Sequence, residues 1–295
     1  MNLKLHLLLF LVACQYATAA IPKSEKQALI DFYHSTNGEN WTEKWNLSKP
    51  ISTWHGIEIN KGNVVAIHLM DNNLTGNIPE SLGDLTKLRV FDVAFNRIQG
   101  QIPQSISKLR HLAELRVGKN RLNGALPEGI VNLDRLKILD LFHNEISGNL
   151  PSDIAKLSSI EVISISDNSF SGSLPKGLGE LKNLQRLELG NNQIEGEIPD
   201  SISELKNLRT LVFAENKFKG KFPSNILKLP NLKIVQLQRN DFDKFHLKNS
   251  LPSESGFALL DYDSDDKYPK GDFKDIYLNK DIRTADTKFD DEDDN

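Results

Sequence analysis

His143 and Asp167 have the types needed for a general base and the carboxylate that orients it. An imidazole does that work when a nucleophile lies within hydrogen-bond reach. No Ser or Cys nucleophile, oxyanion loop or metal cluster converges on this pair. The seven His show no zinc-ligand spacing. The glycines form no phosphate-cradling loop. Cys14, the one cysteine, rules out a disulfide scaffold and a Cys-based zinc site. We therefore expect no catalysis, no metal and no cofactor, and the chemistry to look for is recognition. Lys plus Arg is 36 against 40 Asp plus Glu, a net charge of -4 over 295 residues. That balance lacks the basic excess of a nucleic-acid binder. No apolar run after the N-terminus is long enough for a membrane span.

Whatever binds must be positioned by a repeat. Asn recurs at 72, 96, 120, 144, 168, 192, 216 and 240, a spacing of 24 without an insertion. Gly and Pro keep the same step, as at Gly76 and Gly100 or Pro79 and Pro103. So do the apolar registers that begin at Ile67, Leu69 and Leu85. The L-x-L alternation predicts a short strand with its apolar side chains turned inward. The Asn ends that strand, and its amide can both donate and accept. A ladder of Asn72, Asn96, Asn120, Asn144, Asn168, Asn192, Asn216 and Asn240 would satisfy backbone groups that a buried turn strands. One coil cannot bury its own face, so the coils must stack.

The unit L-x-x-L-x-L-x-x-N-x-L-x-G-x-I-P, as at Gly76-Asn77-Ile78-Pro79 and Gly196-Glu197-Ile198-Pro199, resembles the plant-type leucine-rich repeat. The match is to a Cys-free exported version as found in bacteria. The resemblance runs over residues 24–245 and implies an α/β repeat solenoid of about eight coils. It implies a concave parallel sheet, an irregular and 3-10 convex side, and an N-terminal helical cap. Trp54-His55-Gly56-Ile57 resembles the W-x-G-V element of the family's N-terminal cap. The family flanks that element with a Cys pair, where this chain has Ser52 and Ile59. The cap must rest on aromatic packing, with Trp41, Trp45 and Trp54 in its core. Ser24 is expected to N-cap its helix, and Ile57–Asn60 with Val64–Leu69 to form a hairpin.

The ends read differently. Residues 1–20 carry Lys4, a short apolar run and Ala17-Thr18-Ala19, the pattern of a cleaved signal peptide. Leu11-Val12-Ala13-Cys14 resembles a lipobox, so lipid anchoring through Cys14 stands as the alternative to free secretion. Both imply export to the outside or the cell surface. Residues 21–63 form the N-terminal cap, 64–245 the solenoid, 246–260 the C-terminal cap and 261–295 an acidic tail. The tail holds 13 acids and 6 bases. Its Asp261, Asp263, Asp265 and Asp272 have calcium-loop-like spacing, but Asp266 stands where that loop needs Gly. Sequons at Asn40, Asn46 and Asn73 matter only in a eukaryotic secretory path.

Given the geometry the resemblance implies, the variable strand residues project from the concave face. The candidate ligand-binding residues are His68, Asp92, Phe95, Arg116, Lys119, Asp140, Phe142, His143, Asp167 and Glu188. Asp92, Arg116 and Asp140 should form a charge ladder, because neighbouring strands lie about 4.8 Å apart. Phe95 and Phe142 are expected as exposed aromatics beside Lys119 and His143, a reasonable binding patch. Gly118, Ser166, Gly190 and Ala214 would leave room for a partner. The competing reading is that Arg116 only neutralises two Asp and the two Phe pack on each other. The expected function is an exported, monomeric, non-enzymatic module binding a protein or a polysaccharide. The alternative is a surface structural or adhesion protein.

Overall fold

The computed structural model describes residues 20–250 and 257–262. Cys14, the leader to residue 19 and the tail from 263 lie outside the described residues. Each coil repeats one path. Val90–Asp92 is extended, the chain turns at Phe95-Asn96, and Arg97–Gly100 is extended again. Pro103 then leads into a 3-10 segment, Gln104–Lys108, before the next strand, Glu114–Arg116. Pro suits that position because its ring presets φ and the segment's first N–H has no partner to lose.

Stacking in register makes two sheets. Ten strands, from Ile57–Asn60 to Leu259–Asp261, form the first sheet, and its repeat strands run parallel. Ile67, Phe91, Leu115, Leu139, Ile163, Leu187, Leu211 and Val235 line its inner side and are buried. Asp92 pairs with Arg116 and Arg116 with Asp140 as direct neighbours. The second sheet has eight strands, including Arg97–Gly100 and Arg121–Ala125. The family resemblance implies only irregular and 3-10 structure on that side. A regular stack brings any extended residues into ladder spacing, so the segment after each Asn pairs as well. Gly100 shows why that segment needs glycine. Its φ is +77°, and a Cβ would lie 2.8 Å from Asn77 Oδ1.

The cap begins with helix α1, Lys23–Ser35, which buries Ala28, Leu29, Phe32 and Tyr33. Ser24 does not cap it. Pro22 precedes the first turn, and no side chain bonds there. Ile57–Asn60 and Asn63–His68 pair antiparallel, so the expected hairpin opens the sheet. Glu25 ties α1 to it: Oε2 accepts the Val64 N–H at 2.7 Å. Burial pushes the Glu25 carboxyl above the usual range, against the opposing pull of that bond. A raised folded value means stability from this group is full at acid pH and is lost as pH rises through that value. Glu25→Gln should therefore gain stability relative to wild type between pH 4 and pH 7. Parallel urea midpoints for the two proteins check it; a constant difference contradicts it.

At the other end, helix α2, Lys244–Ser250, follows the last full coil. Leu259–Asp261 then pairs with Ile234–Gln236 as the terminal strand. Asp261, assigned to the acidic tail by composition, is the last residue of the sheet. Its carbonyl accepts the Leu237 N–H at 2.8 Å. Among the described residues, no helix is long and apolar enough to cross a membrane.

Candidate functional site

The residue before each ladder Asn decides how the concave face is bounded. Asp71, Phe95, Lys119, His143, Asp167, Asn191, Glu215 and Arg239 all have φ between 51° and 58°. Such a left-handed turn costs a non-glycine residue roughly 1–2 kcal/mol. The next Asn holds it in place. Asn120 Nδ2 donates to the carbonyls of Val93, Val117 and Gly118 at 3.0, 3.0 and 3.3 Å. Its Oδ1 accepts the Ile98 N–H at 2.9 Å. Asn144, Asn168, Asn192, Asn216 and Asn240 repeat the pattern. Asn96 does so too, and Asn72 instead joins the cap through both Glu43 backbone groups. The ladder runs from side chain to backbone, not from amide to amide.

This geometry lifts one side chain per coil onto a rim beside the sheet. Lys119 Nζ sits 5.1 Å above the Phe95 ring. Asn191 donates to Asp167 Oδ1 at 2.6 Å, and Arg239 to Glu215 at 2.7 Å. The left-handed turn had only a weak sequence signal: no glycine occupies the register, although Asp71, His143, Asp167 and Asn191 are of the types that tolerate positive φ best. A second row was also missed, although its period of 24 is plain in the sequence. Asn183, Asn207 and Asn231 donate to the carbonyls of Ser158, Lys182 and Lys206 at 2.8–3.0 Å. They line a polar trough of about 200 Å³ with Glu161, Gln185 and Arg209.

The leucine-rich-repeat family pattern matches residues 87–146, and a second leucine-rich-repeat pattern matches 159–181 and 183–205. The fold is a leucine-rich-repeat solenoid. A probable leucine-rich repeat receptor-like protein kinase of Arabidopsis thaliana is 33% identical over 95 residues, 32% of this chain and 14% of that protein. The Arabidopsis receptor kinase EFR is 33% identical over 30% of this chain and 9% of its own length. This chain therefore spans a small part of the relatives it matches. Among solved structures, the PEPR1–AtPEP1 complex superposes with a TM-score of 0.69 at 26% identity, over 75% of this chain and 32% of that one. The Arabidopsis receptor kinase HAESA, solved with the peptide hormone IDA and the co-receptor SERK1, gives 0.59 at 32% identity, over 71% and 34%. A plant ice-binding protein gives 0.60 at 22% identity, over 81% and 86%, which shows the fold alone.

The leucine-rich-repeat sheet sorts the ten candidate residues. His68 is exposed, with Nε2 3.3 Å from Glu58 of the hairpin. Asp92 is half-buried. Burial pushes its carboxyl upward, while the Ala94 N–H, Arg116 and His68 pull it down and Asp140 pushes it up. Arg116 Nε donates to Glu114 Oε2 at 2.7 Å, a carboxylate of its own strand that the ladder expectation omitted. Glu114 lies two residues before Arg116 on the same strand and shares its face, a register outside the candidate set. Asp140 and Glu188 are not open contacts. Asp140 is buried, and its Oδ1 accepts the Phe142 N–H at 3.3 Å. Glu188 is buried between Arg186, at 2.5 Å, and the Ser164 hydroxyl, at 2.9 Å.

Phe142 is also a correction. It has no exposed surface, because its ring lies over Gly118, where a Cβ would come within 2.4 Å of Cδ1. The glycine expected to admit a partner is occupied by the phenylalanine of the next coil. Phe95 stays partly exposed 6.0 Å from Phe142, and His143 is exposed 6.2 Å from it. His143 and Asp167 share the rim, but among the described residues no bond joins them. His68, Asp92, Phe95, Lys119, His143 and Asp167 keep exposed surface, and Arg116, held by Glu114, keeps little.

Proposed function

We propose that this chain is an extracellular recognition module that binds an extended polypeptide on its concave sheet and does no chemistry. The observation that carries the reading is the open rim patch. Phe95 and Lys119 form a stacked cation and ring at the edge of a sheet on which Arg116 and Arg186 are tied to Glu114 and Glu188. An aromatic ring and a cation at the edge of a polar face are typical anchors of protein recognition. HAESA, solved with the peptide hormone IDA, shares the fold, which supports a peptide as the ligand. Residues 1–20 would deliver the chain outside, free or anchored through Cys14. A surface-structural role would use the same scaffold without a ligand. The trough at Glu161 and Asn207 supports a second reading, a polysaccharide held by hydroxyl–amide bonds along the sheet edge.

Selection of a displayed random dodecapeptide library on the immobilised full chain tests the first reading. Enriched peptides should lose at least tenfold in affinity with Phe95→Ala/Lys119→Ala, about 1.4 kcal/mol. Asn207→Ala should leave them unaffected. No enrichment, with binding on arrayed polysaccharides that Asn207→Ala abolishes, transfers the role to the trough. No binding in either screen leaves the structural role.

A further inference from the structure

The outer side of the second sheet carries two columns of side chains that recognition on the concave face does not use. One column is Thr75, Gln99, Asn123, Ser147 and Ser171. The other, two residues further along each coil, is Asn77, Gln101, Ala125, Asn149 and Ser173. All are exposed or half-buried, and Leu74, Ile98, Leu122, Ile146 and Phe170 lie buried behind them. None is charged, over five successive coils. The scaffold does not require this. In the next two coils the same columns hold Glu195, Glu197, Lys219 and Lys221. The face is also flat. A row of glycines runs between the columns, and a Cβ at Gly100 or Gly172 would lie 2.8 or 2.6 Å from Oδ1 of Asn77 or Asn149. No side chain can rise there without displacing its neighbour.

The amides of this face do little for the fold. Those of the ladder and of the Asn183 row are bonded to backbone carbonyls. Among the described residues, the side chains of Asn77, Gln99, Gln101 and Asn123 make no hydrogen bond. Asn149 Oδ1 accepts a long one, 3.3 Å, from the Ser171 hydroxyl. Amides and hydroxyls can both donate and accept, which is what a surface of sugar hydroxyls needs from a partner. A charge pressed against a neutral solid would lose its water and gain no counter-ion, so a face without charges complements a neutral surface. The groups repeat at about 4.8 Å along the stack and about 7 Å across it. Five coils span about 19 Å at that spacing. A flat lattice of this kind fits an ordered solid better than a single chain. We propose that this face adsorbs to an insoluble neutral polysaccharide, its amides and hydroxyls meeting the ordered hydroxyls of the fibre surface. The site lies on a different sheet from the concave face and is independent of peptide binding there.

Depletion of the full chain from solution by microcrystalline cellulose and by chitin tests this, with a melting curve for every variant. The wild type should adsorb to at least one of the two solids. It should stay adsorbed at about 1 M NaCl, where exposed ion pairs are screened. Gln99→Glu/Asn123→Asp sets two charges on the face at exposed positions with little change of shape. It should leave Tm unchanged and weaken adsorption by about tenfold or more. Glu195→Gln/Glu197→Gln lengthens the uncharged face by one coil and should strengthen adsorption; it carries the test if the first variant does not fold. Phe95→Ala/Lys119→Ala should adsorb as the wild type does. The proposal is overturned if neither solid depletes the protein, if adsorption is lost at high salt, or if the charged variant binds unchanged. Adsorption abolished by Asn207→Ala instead moves the site to the trough and also overturns it. So does retarded growth of ice crystals without adsorption to either solid, which would assign the lattice to ice.

Discussion

Trp45→Ala should lower stability by about 3–5 kcal/mol, the range for emptying a buried indole site. Trp45 is the centre of the N-terminal cap. Its ring stacks on Trp54 at 4.9 Å and meets Trp41 edge-on at 4.9 Å. Tyr33 and Phe32 close the cluster at 6.0 and 6.5 Å. Its Nε1 donates to the His55 carbonyl at 2.8 Å, and Trp41 and Trp54 bond to the Thr36 and Asn46 carbonyls. These bonds link α1, the loop and the hairpin, where Ser52 and Ile59 rule out a disulfide between those positions. A solenoid is only as stable as its nearest-neighbour contacts, so losing the cap should also loosen the first coils. Urea unfolding with hydrogen exchange at Leu69 and Val93 checks both effects. An unfolding free energy within about 0.5 kcal/mol of wild type would show that the cap is not part of the cooperative unit.

Asn120→Ala should cost about 2–4 kcal/mol, because one side chain closes four backbone groups in a buried turn. Asn183→Ala, which removes a single bond to Ser158 at an exposed site, should cost well under 1 kcal/mol. The contrast isolates the ladder from the general effect of deleting an amide. Equal costs for the two variants would mean that the left-handed turn at Lys119 is held by the stack and not by Asn120.

The coil was legible because its determinants are periodic. The register of the Asn and of the inward leucines follows from spacing, and the inner sheet face lies where the alternation puts it. The second sheet was not legible, because Arg97–Gly100 and its equivalents alternate over a single inward residue each, too short a run to read as a strand, and pair only through the stack. The face itself was half legible. Neighbourhood along a register could be counted, so Asp92, Arg116 and Asp140 align. Burial could not, because it depends on which long side chain leans over which glycine. Phe142 over Gly118 and Arg186 over Glu188 are facts of rotamers, not of period.

The central claim, that the concave sheet is the recognition face, is tested most directly by photo-crosslinking. An enriched peptide carrying one photoreactive residue is bound to the full chain, and the crosslinked positions are read by mass spectrometry. The account predicts adducts confined to the concave registers and the rim, around Asp92, Phe95, Arg116 and Lys119. Adducts on the 3-10 segments or the second sheet, such as Gln104–Lys108 or Arg97–Gly100, would contradict it.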